Sequence, residues 1–72
     1  MTKEEKIKAT KEANRLFEIF LSVTKNKYLT IACTDIAICC HILNSKGEKL
    51  EFWQEARKRL CNIYLRENKQ YE

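Results

Sequence analysis

Only two short stretches, Lys25-Asn26-Lys27 and Asn44-Ser45-Lys46-Gly47, carry chain-breaking residues in a sequence that has one glycine and no proline. Glycine and proline are the strongest local punctuators of structure, so the chain divides into three long segments with no internal break. With 72 residues it is a single domain spanning 1–72, of a size whose core is marginal unless regular helix packing or self-association adds to it.

The first segment opens on Thr2-Lys3-Glu4-Glu5, a capping box in which the threonine hydroxyl serves a free amide of the first turn. A helix is predicted over about 3–24. Its apolar stripe is Ala9, Ala13, Leu16, Phe17, Phe20 and Val23, with Lys8, Lys11, Glu12, Arg15 and Glu18 opposite.

The second segment, about 29–43, starts near Thr30 and closes where Asn44 or Gly47 can turn left-handed. Thr30, Ile31, Thr34, Ile36, Ile38 and Ile42 also suit a strand, but a partner strand is lacking, so a helix is predicted. Leu29, Ala32, Cys33, Ile36, Cys39, Cys40 and Leu43 form a broad arc that reads as the inward face. Ile31, Ile38 and Ile42 form a second patch, and Thr30, Thr34, His41 and Ser45 a narrow polar stripe.

The third helix, about 46–69, follows a second capping box, Ser45-Lys46-Gly47-Glu48. Phe52, Trp53, Ala56, Leu60, Ile63 and Tyr64 make its main face, with Leu50, Cys61 and Leu65 beside it; Glu55 and Arg59 form an i,i+4 ion pair. The fold class is therefore all-α, a compact three-helix bundle, and its spare apolar surface predicts completion by self-association.

The charge is mixed. Net charge is +4, with +3 over 1–27, −1 over 28–45 and +2 over 46–72. No run reaches the five or six like charges of a polyanion-binding tail, so interleaved signs read first as solvated helix faces. The amino terminus runs straight into charged, periodic sequence without an apolar signal core, which predicts a cytoplasmic location and reduced thiols. Tyr28 to Leu43, the least charged stretch, falls short of the roughly 20 apolar residues of a membrane span. The apolar stripe of the first helix is needed for the bundle, so no membrane partner is expected.

Cys33, Cys39, Cys40, His41 and Cys61 contain enough soft ligands for zinc, but two ligands on one helix share an ion at separations of three or four, and none of the second-helix residues is so spaced. The cysteines are expected to be packing thiols, with no metal and no cofactor. A nucleophilic thiol would need His41 as its base, and His41 lies on the polar stripe away from most of the thiols; no catalytic residue is assigned, and the chain is expected not to be an enzyme. Asp35, the sole acid of the middle segment, suits an ion pair across an interface.

The second and third helices invite comparison with a helix-turn-helix, yet the leading end of the third supplies Glu48, Glu51 and Glu55, which repel phosphate. Lys58, Arg59, Arg66 and Lys69, further along, could grip a polyanion without reading bases.

The positive signal is excess apolar surface. Helix two is apolar around most of its circumference, and something beyond a three-helix monomer must cover it. The residues expected at a protein interface are Ile31, Asp35, Ile38, Ile42, Leu50, Arg57, Cys61 and Leu65. The expected partner is a second copy, as a dimer, or another protein. The resulting reading is a small interaction module, of the kind that inhibits or regulates a host machine; the alternative is a small basic DNA- or RNA-binding regulator. The Lys, Ile, Asn and Glu content without proline is like that of AT-rich bacterial or phage coding sequence.

Overall fold

A computed structural model describes residues 1–69, with side chains through residue 62. It consists of three helices, α1 (Lys3–Thr24), α2 (Lys27–Leu43) and α3 (Glu48–Lys69), each packed against the other two. The bundle is all-α among the described residues.

Helix ends follow from local chemistry. Thr2 caps α1, its Oγ1 accepting from Glu5 N at 3.2 Å and donating to Glu5 Oε1 at 3.1 Å. α1 stops because Lys25 takes a left-handed conformation, φ 54°, from which its N–H reaches Leu21 O at 2.9 Å. Asn26 immediately caps the next helix through a 2.9 Å bond from Leu29 N to its Oδ1. This cap starts α2 at Lys27, two residues before the sequence expectation. The hydroxyls of Thr24 and Thr30 hydrogen-bond at 2.5 Å across the joint.

α2 ends without a left-handed Asn44, whose φ is −103°. Instead, Asn44 N bonds His41 O at 3.2 Å and Asn44 Nδ2 bonds Cys40 O at 2.8 Å, which satisfies the free carbonyls. Gly47 is left-handed, φ 63°, and its carbonyl accepts the first bond of α3, from Glu51 N at 3.1 Å. The third helix therefore begins at Glu48 rather than near 46, with Gly47 at the boundary in place of the expected serine-led capping box.

The core is built from small residues at the helix crossings. Ala9, Ala13, Ile38, Ala56 and Leu60 are buried, and Leu16, Phe17, Ile42, Phe52 and Trp53 pack against them. Three alanines let the backbones approach closely. α1 presents the face expected of it, except that Val23 in its last turn is exposed, and α3 turns Phe52, Trp53, Ala56 and Leu60 inward as expected. Ile63 and Tyr64, expected on the same face, lie outside the residues whose side chains are described.

α2 does not. Its buried residues are Thr30, Thr34 and Ile38, while Leu29, Ile36 and Leu43, expected inside, are 53%, 64% and 84% exposed. At 100° per residue, the observed inward face lies about half a turn from the expected one. The threonines enter the core because each hydroxyl is satisfied by the carbonyl four residues before it, Thr30 Oγ1 donating to O of the cap residue Asn26 and Thr34 Oγ1 to Thr30 O, both at 2.7 Å. A threonine bonded to its own i−4 carbonyl offers its methyl group to the packing. Ile38, expected at an interface, is instead fully buried in the core.

Candidate functional site

With Thr30, Thr34 and Ile38 turned inward, the opposite side of α2 is left facing solvent. Leu29, Ile36 and Leu43 stand seven residues apart on that side, about 10 Å from one to the next along the axis. Exposed Ala32 and Cys40 and half-buried Cys33 and Cys39 lie between them. The exposed parts of the three large residues amount to about two complete aliphatic side chains. Covering them is worth on the order of 1.5–3 kcal/mol for each side chain fully removed from water. No charged residue interrupts the stripe, since Asp35, the only one between Tyr28 and Leu43, lies to its side.

That side is the cleft between α2 and α3. Arg57 Nε on α3 donates to Asp35 Oδ1 on α2 at 2.9 Å. The hydrogen bond and the negative carboxylate hold the guanidinium pKa above its ordinary value. Cys39 Sγ approaches the same carboxylate oxygen at 4.0 Å. Two hollows meet here. One, of about 290 Å³, is lined by Tyr28, Ile31, Ala32, Asp35, Leu60 and Cys61; the other, of about 330 Å³, by Ile42, Gln54, Arg57, Lys58 and Cys61.

The residues expected at an interface are thus partly brought together. Ile31, Asp35, Arg57 and Cys61 share the cleft, and the two charges expected to face a partner neutralise one another within the chain. Ile42 packs on the core, Leu50 is half-buried, and Leu65 lies outside the residues whose side chains are described. Periodicity alone makes the exposed stripe of α2 look like the core face, which is why the sequence does not single it out as a surface.

His41 is exposed, as its place on the polar stripe implies, but it is not simply solvated. Its ring stacks on Trp53 at 4.0 Å between centroids and 6° between planes, and Phe52 meets the same indole edge-on at 5.2 Å. This stack holds the end of α2 against α3. Among the described residues, no three of the histidine, cysteine, aspartate and glutamate side chains converge on a point where a metal ion could be held. Nor is any helix among them long and apolar enough to cross a membrane.

Basic residues gather elsewhere. Lys3, Lys6, Lys11 and Arg59 rim a groove of about 480 Å³ between α1 and α3, floored by Ile7 and Thr10. Arg59 also faces Glu55 at 3.3 Å, the expected i,i+4 pair. Of the residues expected to meet a polyanion, Lys58 is exposed and Arg59 joins this groove; Arg66 and Lys69 lie outside the residues whose side chains are described. The α1 lysines are an addition to that set. Their spacing marks one helical face, but which helix lies beside Arg59 is a tertiary fact.

No protein-family model, curated protein or solved structure matches this chain.

Proposed function

We propose that the chain is a non-enzymatic helical interaction module that docks protein through the exposed face of α2. The observation that carries this reading is the stripe Leu29, Ile36 and Leu43, more than half exposed at each position and diametrically opposite the core. Exposed aliphatic residues scattered singly are ordinary, but a contiguous uncharged stripe along a whole helix marks an interaction surface. The cleft carrying Asp35, Arg57 and Cys61 borders it and supplies a polar margin. Encoded by a bacterium or by a phage that infects one, and acting in the cytoplasm, such a module would work by occupying a surface on a larger machine or by pairing with itself, without chemistry of its own.

A photo-crosslinking residue placed at Ile36 tests this in the cell that produces the protein, with the same residue at Glu18, exposed on the charged side of α1, as control. Adducts with protein at position 36 and none at 18 are expected. Their absence at 36 would end the reading, and their mass tells a second copy from a different protein.

One observation favours a second reading, a small basic regulator that binds DNA or RNA. Lys3, Lys6, Lys11 and Arg59 converge on one groove from two helices, and such a cluster can neutralise backbone phosphates. It is the weaker reading because Arg59 is already paired with Glu55. Binding to generic duplex that falls steeply with salt is what it requires.

A further inference from the structure

We infer that the occupant of the exposed α2 face is a second copy of this chain, with the two α2 helices antiparallel about a two-fold axis passing beside Ile36. This rests on the reading of that face as a docking surface, and goes further by naming what docks.

The first argument is symmetry. Outward from Ile36, leucine stands seven residues away in both directions, at Leu29 and Leu43; small residues stand at three and four in both directions, Cys33 and Ala32 before, Cys39 and Cys40 after. A two-fold interface pairs a patch with itself, residue i on j and j on i. Antiparallel pairing about Ile36 sets Leu29 against Leu43 of the second copy, Cys33 against Cys39, Ala32 against Cys40, and Ile36 against itself. Large meets large and small meets small at every level. A different partner requires no such palindrome, and neither does a parallel pair, in which each residue meets its own copy whatever the sequence.

The second argument is charge. An acidic or basic partner would be read by charges on the stripe, and there are none; Asp35 beside it is already held by Arg57 at 2.9 Å. Closing the face on itself leaves no charge stranded in an apolar interface.

The third is area. Two aliphatic side chains' worth of exposed surface, with the small residues between them, gives about 500 Å² per copy, hence about 1,000 Å² for the pair, the lower bound for a specific complex. Small residues at three and four from the axis permit the close helix approach that makes so narrow a stripe sufficient. A dimer of micromolar strength, rather than an obligate one, is the expected consequence.

The test is the solution mass of the full chain by sedimentation equilibrium across a concentration series, under reducing conditions, with helicity followed by circular dichroism. The wild-type protein is expected to pass from monomer to dimer. Ile36→Glu and Ile36→Lys are each expected to keep full helicity and to weaken the dimer about 100-fold, because each sets like charges face to face on the axis. An equimolar mixture of the two is expected to restore the dimer. The double variant Leu29→Glu/Leu43→Lys reads direction, since it places acid against base in the antiparallel pair but like against like in a parallel one; it is expected to dimerise. Should Ile36→Glu lose helicity, Leu43→Lys, in the last turn, serves as the weakening variant. A wild-type chain that stays monomeric at every concentration overturns the inference, as does a dimer indifferent to position 36 or a double variant that dissociates. If position 36 still crosslinks to a different protein in the cell, the docking reading survives that failure; if it crosslinks to nothing, both fall.

Discussion

Ile36 and Ile38 are the same residue two positions apart on one helix, and they stand at opposite extremes: Ile38 is fully buried at the meeting of all three helices, while Ile36 is 64% exposed. The pair defines the rotation of α2, and with it which apolar surface is core and which is offered outward.

Truncating each isoleucine should separate the two roles. Ile38→Ala is expected to cost about 2–4 kcal/mol of unfolding free energy by denaturant titration at low protein concentration, the range for a buried aliphatic side chain reduced to alanine. Ile36→Ala should cost within about 0.5 kcal/mol under the same conditions. Equal costs would mean that α2 is rotated otherwise.

The buried threonines should tolerate an apolar isostere and resist enlargement. The hydroxyl of Thr34 donates only to Thr30 O within its own helix, so Thr34→Val leaves no buried group without a partner and is expected to change stability by less than about 1 kcal/mol. Thr34→Leu forces extra volume into a fully buried site and is expected to destabilise by about 1–3 kcal/mol. Denaturant midpoints at constant slope provide the check.

The two left-handed residues should respond in opposite senses. Lys25, φ 54°, carries a side chain in a conformation that suits glycine, so Lys25→Gly is expected to raise stability by up to about 1 kcal/mol. Gly47, φ 63°, has nothing within 4 Å of where a Cβ would sit; Gly47→Ala is therefore expected to cost about 1 kcal/mol through backbone strain alone. Thermal melts of the two variants should move apart on either side of the wild type.

The stack of His41 on Trp53 gives an optical handle, because Trp53 is the sole tryptophan. His41→Gln, which removes the ring lying on the indole, is expected to change the intensity and position of the indole emission. The same substitution should cost about 0.5–1.5 kcal/mol of stability, the usual worth of an aromatic pair beyond its buried area. An emission profile unchanged in the variant would show that the rings do not stack in solution.

For the basic groove, Lys6→Gln and Arg59→Gln together are expected to flatten the slope of log affinity against log salt for duplex DNA by up to about two units, one for each phosphate that is no longer neutralised. No measurable duplex affinity at low salt would remove the nucleic-acid reading altogether.

Three helices, their order and most of their ends are legible in the residues alone, because those features are local. Thr2 capping α1, the break at Lys25-Asn26 and the turn at Gly47 depend on groups within a few residues of each other, and the amphipathic stripes of α1 and α3 leave one choice of inward face. The Glu55–Arg59 pair and the absence of a chelating spacing among the cysteines of α2 are local in the same sense. The rotation of α2 is not. That helix is apolar almost all round, so amphipathicity does not choose its inward face, and the choice passes to shape. Ala9, Ala13 and Ala56 leave room that Ile38 fills, and Thr30 and Thr34 are buried on the same side of α2 with their hydroxyls satisfied by the carbonyls four residues before them. The larger leucines at 29 and 43 are left outside. Tertiary structure alone makes that selection, because the free energy of a close fit between three helices is a property of all of them at once, and the surface it leaves exposed on α2 is the one through which this chain is proposed to act.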